Sequence, residues 1–141
     1  MISFFENLYL VLSKKKFKSV TASKLAILLI FLAIPSGFTQ QATKSYDQKL
    51  YRLSELLGAI HYLRELCASN DGQKWRRNMQ ELINAEGTSS NRKEIMSHQF
   101  NRGYRSLSKI YPHCTNQAKK TINDFIKDSI KTTDDLIVLY K

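Results

Sequence analysis

The chain has 141 residues, 43% of them apolar and 24% charged, a length that provides one domain core and excludes two full domains. Its formal net charge is +10, yet residues 40–141 hold 17 basic and 11 acidic residues without a dense basic run, so a nucleic-acid-binding protein is not predicted. The difference between those two counts, +6, favours anionic partners of another kind.

Residues 1–39 have the pattern of a secretory signal peptide. A lysine-rich stretch at 14–18 precedes ten apolar residues at 25–34, and a proline and a glycine follow. Ten residues rise only about 15 Å in a helix, too little to cross a hydrocarbon core of roughly 30 Å, so an uncleaved anchor is the alternative and not the prediction. We expect cleavage after Thr39 or Ala42, a periplasmic location, and no stable membrane insertion once the signal peptide is removed.

The opening stretch MISFFENLYLVLS is unusual for the start of a signal peptide, because it is apolar and contains Glu6. Two explanations are open. Either the start site has been assigned too early, with translation beginning near Val11, Leu12 or Val20, or the signal peptide is simply long. Both leave a mature helical domain predicted at 40–141.

Two helices are predicted in the first half of this domain. Apolar residues recur at steps of three and four between positions 46 and 68, which predicts an amphipathic helix over that range. The turn SNDG follows, and its Asn70 or Asp71 can cap the next helix. The stretch GQKWRRNMQELINAE then places Trp75 and other apolar residues on one face of a shorter helix. Gly87 suits the end of this helix, and a hydroxyl of Thr88 or Ser89 can cap the next one.

The third predicted helix contains the motif FNRGYR at 100–105. Its buried stripe comprises Met96, Phe100, Gly103, Tyr104, Leu107 and Tyr111. Glycine in a helix interior costs roughly 1 kcal/mol relative to alanine, so we expect Gly103 to let a neighbouring backbone approach, with Gly58 as its counterpart in the first helix. Pro112 ends the third helix.

A fourth helix is predicted from a cap at Thr115 to the C-terminus, either as one helix or as two with a bend at Thr132 and Thr133. Four amphipathic helices joined by short loops predict an all-α fold, an antiparallel four-helix bundle. In such a bundle Cys67, which ends the first helix, and Cys114, which precedes the fourth, lie at the same end.

Cys67 and Cys114 are the only cysteines of the sequence, and in an exported protein such a pair usually forms a disulfide. In the chain-entropy model this bridge contributes roughly 4 kcal/mol to stability. A redox site would need a CxxC spacing, which is absent, and a metal site would need His61, His98 or His113 to join the cysteines. No spacing supports either alternative, so we predict neither a metal nor a cofactor.

Three segments together resemble a known family: RELCASNDGQKWRRNM, FNRGYRSLSKIYPHC and LSELLGAIHYLRELC. It is the secreted alphaproteobacterial family known as domain of unknown function 2385, and the resemblance covers residues 50–118. It implies a periplasmic location, a short helical domain and the Cys67–Cys114 pair, and it supplies no activity, substrate or partner. Family members often have a proline in the turn before the third helix, whereas this chain has GTSSNRKE there.

The first candidate site is a basic stripe formed by Arg102, Arg105 and Lys109 beside Asn101 on the third helix. Arginine binds carboxylates and phosphates through two parallel hydrogen bonds, so this stripe suits an anionic polymer, a lipid headgroup or an acidic protein surface. The alternative is a solvated face whose arginines pair with acids of neighbouring helices, at about 0–1 kcal/mol each. The acidic candidates are Glu55, Glu65 and Glu94.

The second candidate site flanks the first loop and comprises Arg64, Glu65, Trp75, Arg76 and Arg77. Trp75 fits the core, but a half-exposed tryptophan between arginines would be an interface anchor, because Trp and Arg dominate binding hot spots.

No nucleophile elbow, metal-protease motif or pair of acid and base carboxylates is present, so no catalytic residue is predicted. A wall-cleaving hydrolase would have to use Glu65, Glu81 or Glu86. The leading prediction is a non-enzymatic periplasmic helical bundle that binds another cell-envelope protein. The alternative is binding of an anionic envelope polymer, such as peptidoglycan, through the arginine stripe. The oligomeric state is left open.

Overall fold

The computed structural model describes residues 37–67 and 71–140, with side chains from residue 44 onward. These residues form four helices and no strand: α1 (Gly37–Leu66), α2 (Gly72–Glu86), α3 (Ser90–Ile110) and α4 (Asn116–Tyr140). The all-α prediction is therefore confirmed, and α4 is one helix without a break at its paired threonines. The alternative start sites and the signal peptide up to residue 36 lie outside the described part of the chain.

The predicted hydroxyl caps are present at α3 and α4, whereas the side chain of Asp71 does not cap α2. The hydroxyl of Ser89 accepts a hydrogen bond from the backbone N–H of Arg92 at 3.2 Å, which begins α3. The hydroxyl of Thr115 accepts from the backbone N–H of Ala118 at 3.1 Å and begins α4 in the same way. Each bond satisfies a backbone donor that has no partner within its helix.

Helix α1 is the centre of the fold. Its backbone comes within 8 Å of the backbones of α2, α3 and α4, whereas α2 with α3 is the one further helix pair this close among the described residues. The six consecutive residues 56–61 are all buried. The sequence predicted a helix with one buried face, but α1 is buried on several sides. Small residues such as Gly58 and Ala59 let neighbouring helices pack on those other sides as well.

The crossing of α1 and α3 depends on two glycines. A Cβ atom on Gly58 would lie 1.9 Å from the carbonyl oxygen of Phe100, and one on Gly103 would lie 2.0 Å from the carbonyl oxygen of Glu55. Neither position has room for a methyl group, because the obstructing atoms belong to the backbone. The predicted role of these glycines in close helix packing is confirmed.

The Cys67–Cys114 disulfide is present, with its Cα atoms 5.0 Å apart. It joins the end of α1 to the segment that precedes α4, beside a small apolar cluster of Leu63, Leu107, Ala118 and Ile122. The hydroxyl of Tyr62 on α1 donates to the backbone carbonyl of Tyr111 near the same end. In the described ranges, none of the helices combines the length and apolar character needed to span a membrane.

Candidate functional site

The predicted basic stripe is divided by an ion pair. Arg102 on α3 lies with its Nη2 atom 3.0 Å from the Glu55 Oε2 atom on α1, and Arg52 binds the same carboxylate at 3.1 Å. Partial burial raises the pKa of Glu55, but the hydrogen bonds from the two guanidinium groups outweigh it and hold that pKa below its usual range. Arg102 thus has an acid of its own chain as a partner, while Arg105 and Lys109 are exposed on the same helix.

Arg64 is likewise occupied within the chain. Its Nε and Nη2 atoms donate to the two carboxylate oxygens of Asp71 at 2.8 and 2.6 Å. Because Asp71 directly precedes α2, this two-bond contact ties the end of α1 to the start of α2.

Trp75 lies in the core and not at an exposed interface. It is 5% exposed and packs in the apolar cluster with Leu57, Met79 and Leu82. Of its two interpretations, the structure supports the packed side chain.

A cleft of about 410 Å³ opens between α1, α2 and α3. Its polar lining consists of His61, Glu65, Arg76, Gln80, Ser97, Asn101 and Tyr104. Its apolar lining consists of Met79, Ile83 and Phe100. The volume is within the range of natural ligand sites, roughly 300–1,000 Å³, and the mixture of an apolar surface with a few polar groups is typical of them.

Helical periodicity explains why these residues share one cleft. Each helix contributes residues three or four positions apart, which lie on one face: 61 and 65 on α1, 76 to 83 on α2, and 97 to 104 on α3. Both α2 and α3 pack on α1 more extensively than on each other. The space between them is therefore only partly filled.

The inner wall of the cleft is an aromatic cluster around His61. This imidazole is 4% exposed and stacks on Phe100 with ring centroids 5.6 Å apart, and Tyr104 contacts it at the same distance. Tyr104 in turn meets Tyr62 edge to face at 5.1 Å. The sequence assigned Phe100 and Tyr104 wholly to the core, but both are half-buried, since one side of each packs on α1 and the other lines the cleft.

Glu65 provides a carboxylate to the cleft. Its Oε1 atom lies 3.7 Å from the Nε2 atom of His61 and accepts a hydrogen bond from the Gln73 amide at 3.3 Å. These two neighbours restrict the orientation of the carboxylate, although more than a third of the side chain is exposed.

Four other polar side chains of the cleft have no partner within the described part of the protein. The guanidinium of Arg76, the hydroxyl of Ser97, the amide of Asn101 and the hydroxyl of Tyr104 form no hydrogen bond or ion pair there. Arg76 and Asn101 were predicted as binding residues, and the structure brings them into one cleft. Ser97 and Tyr104 were not, because nothing in the sequence shows that α2 and α3 diverge over them.

The other two candidate acids of a hydrolase lie away from this cleft. Glu86 is buried at the far end of α2, where Tyr46 lies beside it and Arg92 approaches its Oε2 atom at 3.9 Å. Burial and the neighbouring Glu86 carboxylate raise the pKa of Tyr46. Glu81 is exposed on α2. Across residues 37–67 and 71–140, no group of three or more His, Cys, Asp or Glu residues is placed to hold a metal ion.

Comparison with known proteins gives one family. The model of a protein family of unknown function, DUF2385, matches residues 45–140. This confirms the resemblance that the three segments suggested, extends it beyond residues 50–118, and includes every residue that lines the cleft. No curated protein and no solved structure matches the chain.

Proposed function

This chain belongs to the DUF2385 family, and we propose that it is a non-enzymatic periplasmic protein that binds a segment of another cell-envelope protein in the cleft between α1, α2 and α3. The observation that carries the proposal is a set of four polar side chains around an apolar surface that have no partner among the described residues. Arg76 and Asn101 are exposed and Ser97 and Tyr104 are half-buried, so a ligand with matching donors and acceptors can replace their water without breaking a bond within the protein.

The proposed location rests on residues 1–39, whose lysine-rich and apolar stretches are typical of a cleaved signal peptide. The disulfide between Cys67 and Cys114 supports the same location, because such bonds persist in oxidising compartments such as the periplasm. The mature protein in this proposal comprises residues 40–141.

We infer that the helices alternate in direction, as an antiparallel bundle requires. Cys67 at the end of α1 bonds to Cys114 just before α4, whereas Lys49 in the first half of α1 lies 2.6 Å from Asp135 near the end of α4. These two contacts support opposite directions for α1 and α4. In this arrangement the end of α1 and the start of α2 lie at the disulfide end, near Glu65 and Arg76.

The cleft is better suited to a partner than the basic stripe that the sequence also predicted. In the stripe, Arg102 is paired with Glu55, and at the disulfide end Arg64 is paired with Asp71. An arginine that already binds a carboxylate has part of its charge neutralised, so it attracts a second anion less strongly than an unpaired arginine does. An anionic polymer such as peptidoglycan would therefore depend mainly on Arg105 and Lys109, two exposed side chains that do not line the cleft.

Site-specific photo-crosslinking tests the proposal. A photoreactive amino acid replaces Ser97, which lines the cleft, or Ser106, which is exposed on the same helix and does not line it. We expect a discrete protein adduct in the cell envelope from position 97, no such adduct from position 106, and loss of the adduct when Asn101→Trp fills the cleft. An absence of adducts at 97, or the same adducts from both positions, would refute binding in the cleft.

A further inference from the structure

We propose that the cleft binds the C-terminal end of a polypeptide, with the terminal carboxylate at Arg76 and the last side chain on the surface of Met79, Ile83 and Phe100. This inference rests on the proposed function, since it names the part of the partner protein that enters the cleft. It assigns a chemical role to each part of the cleft lining.

The carboxylate is assigned to Arg76 because this arginine lines the cleft and does not bind an acid of the described residues. Arg64, Arg92 and Arg102 each bind a carboxylate of their own chain. Arg76 is the one lysine or arginine that lines the cleft, and it forms no ion pair with the described residues. A guanidinium group presents two parallel donors whose spacing matches a carboxylate, so Arg76 is suited to a terminal carboxylate from outside the chain.

The apolar part of the cleft suits a side chain next to that carboxylate. Met79 and Ile83 are one turn apart on α2, the helix that carries Arg76, so they lie beside the guanidinium group on the same face. Phe100 closes this surface from α3. Met79 is only 4% exposed and forms the floor of this surface, so Ile83 and Phe100 provide most of its apolar contact area.

The polar row of α3 suits the backbone of the residues before the terminus. Ser97, Asn101 and Tyr104 follow each other at spacings of four and three along one face. Hydroxyl and amide groups both donate and accept hydrogen bonds, and a peptide backbone offers donors and acceptors in alternation. A sugar chain fits less well, because sugars pack on exposed aromatic rings. Phe100 already stacks on His61, and Tyr104 already packs against His61 and Tyr62, so part of each ring is covered.

Glu65 adds a preference against acidic sequences. Its carboxylate lines the same cleft as Arg76, and no ion pair joins the two. Glu65 repels any negative charge in the cleft, and Arg76 offsets this repulsion for the terminal carboxylate that it binds. A second negative charge on the ligand would have no further lysine or arginine of the cleft lining to offset it. We therefore expect basic or neutral residues just before the terminus, and Glu65→Gln should admit acidic ones.

The test uses two peptide mixtures and the full chain purified from cells that export it. A degenerate pentapeptide mixture is synthesised once with free C-terminal carboxylates and once with C-terminal amides, and the retained peptides are identified by mass spectrometry. We expect retention of the acids with apolar last residues, and an affinity for a selected acid that exceeds that for its amide by about ten- to a hundredfold, the usual range for hydrogen bonds to a charged group.

Two neighbouring arginines provide the matched variants. Arg76→Gln should abolish the difference between acid and amide, whereas Arg77→Gln, an exposed change one position along that removes the same charge, should preserve it. Arg76→Lys keeps the charge without the paired donors and should give an intermediate difference. Thermal unfolding of each variant, expected to match the parent chain, shows that the loss is not due to unfolding.

The possible failures are distinguishable. Acids and amides that bind equally, with no effect of Arg76→Gln, would overturn the carboxylate assignment; if they compete with the Ser97 crosslink, the proposed function stands. If soluble peptidoglycan fragments bind in an Arg76-dependent manner and the peptides do not, the ligand is a glycan and the inference is wrong. If no peptide binds and Ser97 gives no adduct, the inference and the proposed function both fail.

Discussion

The substitution Gly103→Ala tests the central packing of the fold. The added Cβ atom would lie 2.0 Å from the carbonyl oxygen of Glu55, whereas ordinary contacts begin near 3.4 Å. Relief requires α1 and α3 to separate by about 1 Å, because neither backbone can rotate away as a side chain would. In an unobstructed helix the same change would stabilise the protein by about 1 kcal/mol.

We expect the clash to outweigh that gain. Overpacking of a rigid core costs typically about 1–3 kcal/mol and occasionally more, and the obstruction here is backbone on both sides of the crossing. A net loss of about 2 kcal/mol lowers Tm by roughly 8–16 °C for a domain of this size. Thermal unfolding followed by circular dichroism measures the shift, and Ser106→Ala, an exposed change on the same helix, should move Tm little.

The double variant Gly58→Ala, Gly103→Ala sharpens the test. One separation of α1 from α3 relieves both clashes, so the combined loss should be smaller than the sum of the single losses. A Gly103→Ala protein as stable as the parent, or more stable by the 1 kcal/mol or so of helix propensity, would refute the close approach of the two helices.

Three further predictions concern the bonds that hold the helices. Replacing both Cys67 and Cys114 by serine should lower the free energy of unfolding by roughly 4 kcal/mol, measured by urea titration, and a reducing agent should then have no further effect. The pKa of Glu55 is lower in the folded state than its ordinary value of 4.5. The ionised carboxylate should therefore contribute fully to stability above pH 4.5, and this contribution should be lost as the pH falls through the folded-state pKa. Glu55→Gln should flatten that part of the plot of stability against pH. Tyr46→Phe should cost about 1–3 kcal/mol in a denaturant titration, because it removes the hydroxyl that lies beside the buried Glu86 carboxylate; an unchanged midpoint would contradict that contact.

Much of the architecture follows from the sequence, because its causes are local. Apolar residues at steps of three and four specify helices, Ser89 and Thr115 specify where two of them begin, and one pair of cysteines can form only one bridge. A glycine inside a helix has a cost that close packing explains, which is why the role of Gly103 was predictable.

The binding residues depend instead on which helices meet and at what distance. Arg64, Arg76 and Arg102 are alike in sequence, yet Asp71 and Glu55 bind the first and last of them and leave Arg76 in the cleft. Whether two charged side chains on different helices form an ion pair depends on a difference of a few ångströms in the distance between them. Helical periodicity in the sequence does not specify that distance.

The sequence by itself determined four helices, the starts of α3 and α4, one disulfide and the family of the chain, whereas α1 begins at Gly37, nine residues before the predicted start at position 46. Only the tertiary structure decided that α1 lies at the centre, and that α2 and α3 separate over His61 to open a cleft. The physical reason is that α1 is buried on several sides, and small residues such as Gly58 set how closely each neighbour approaches it. The cleft is the space that this packing leaves, and no single helix specifies it.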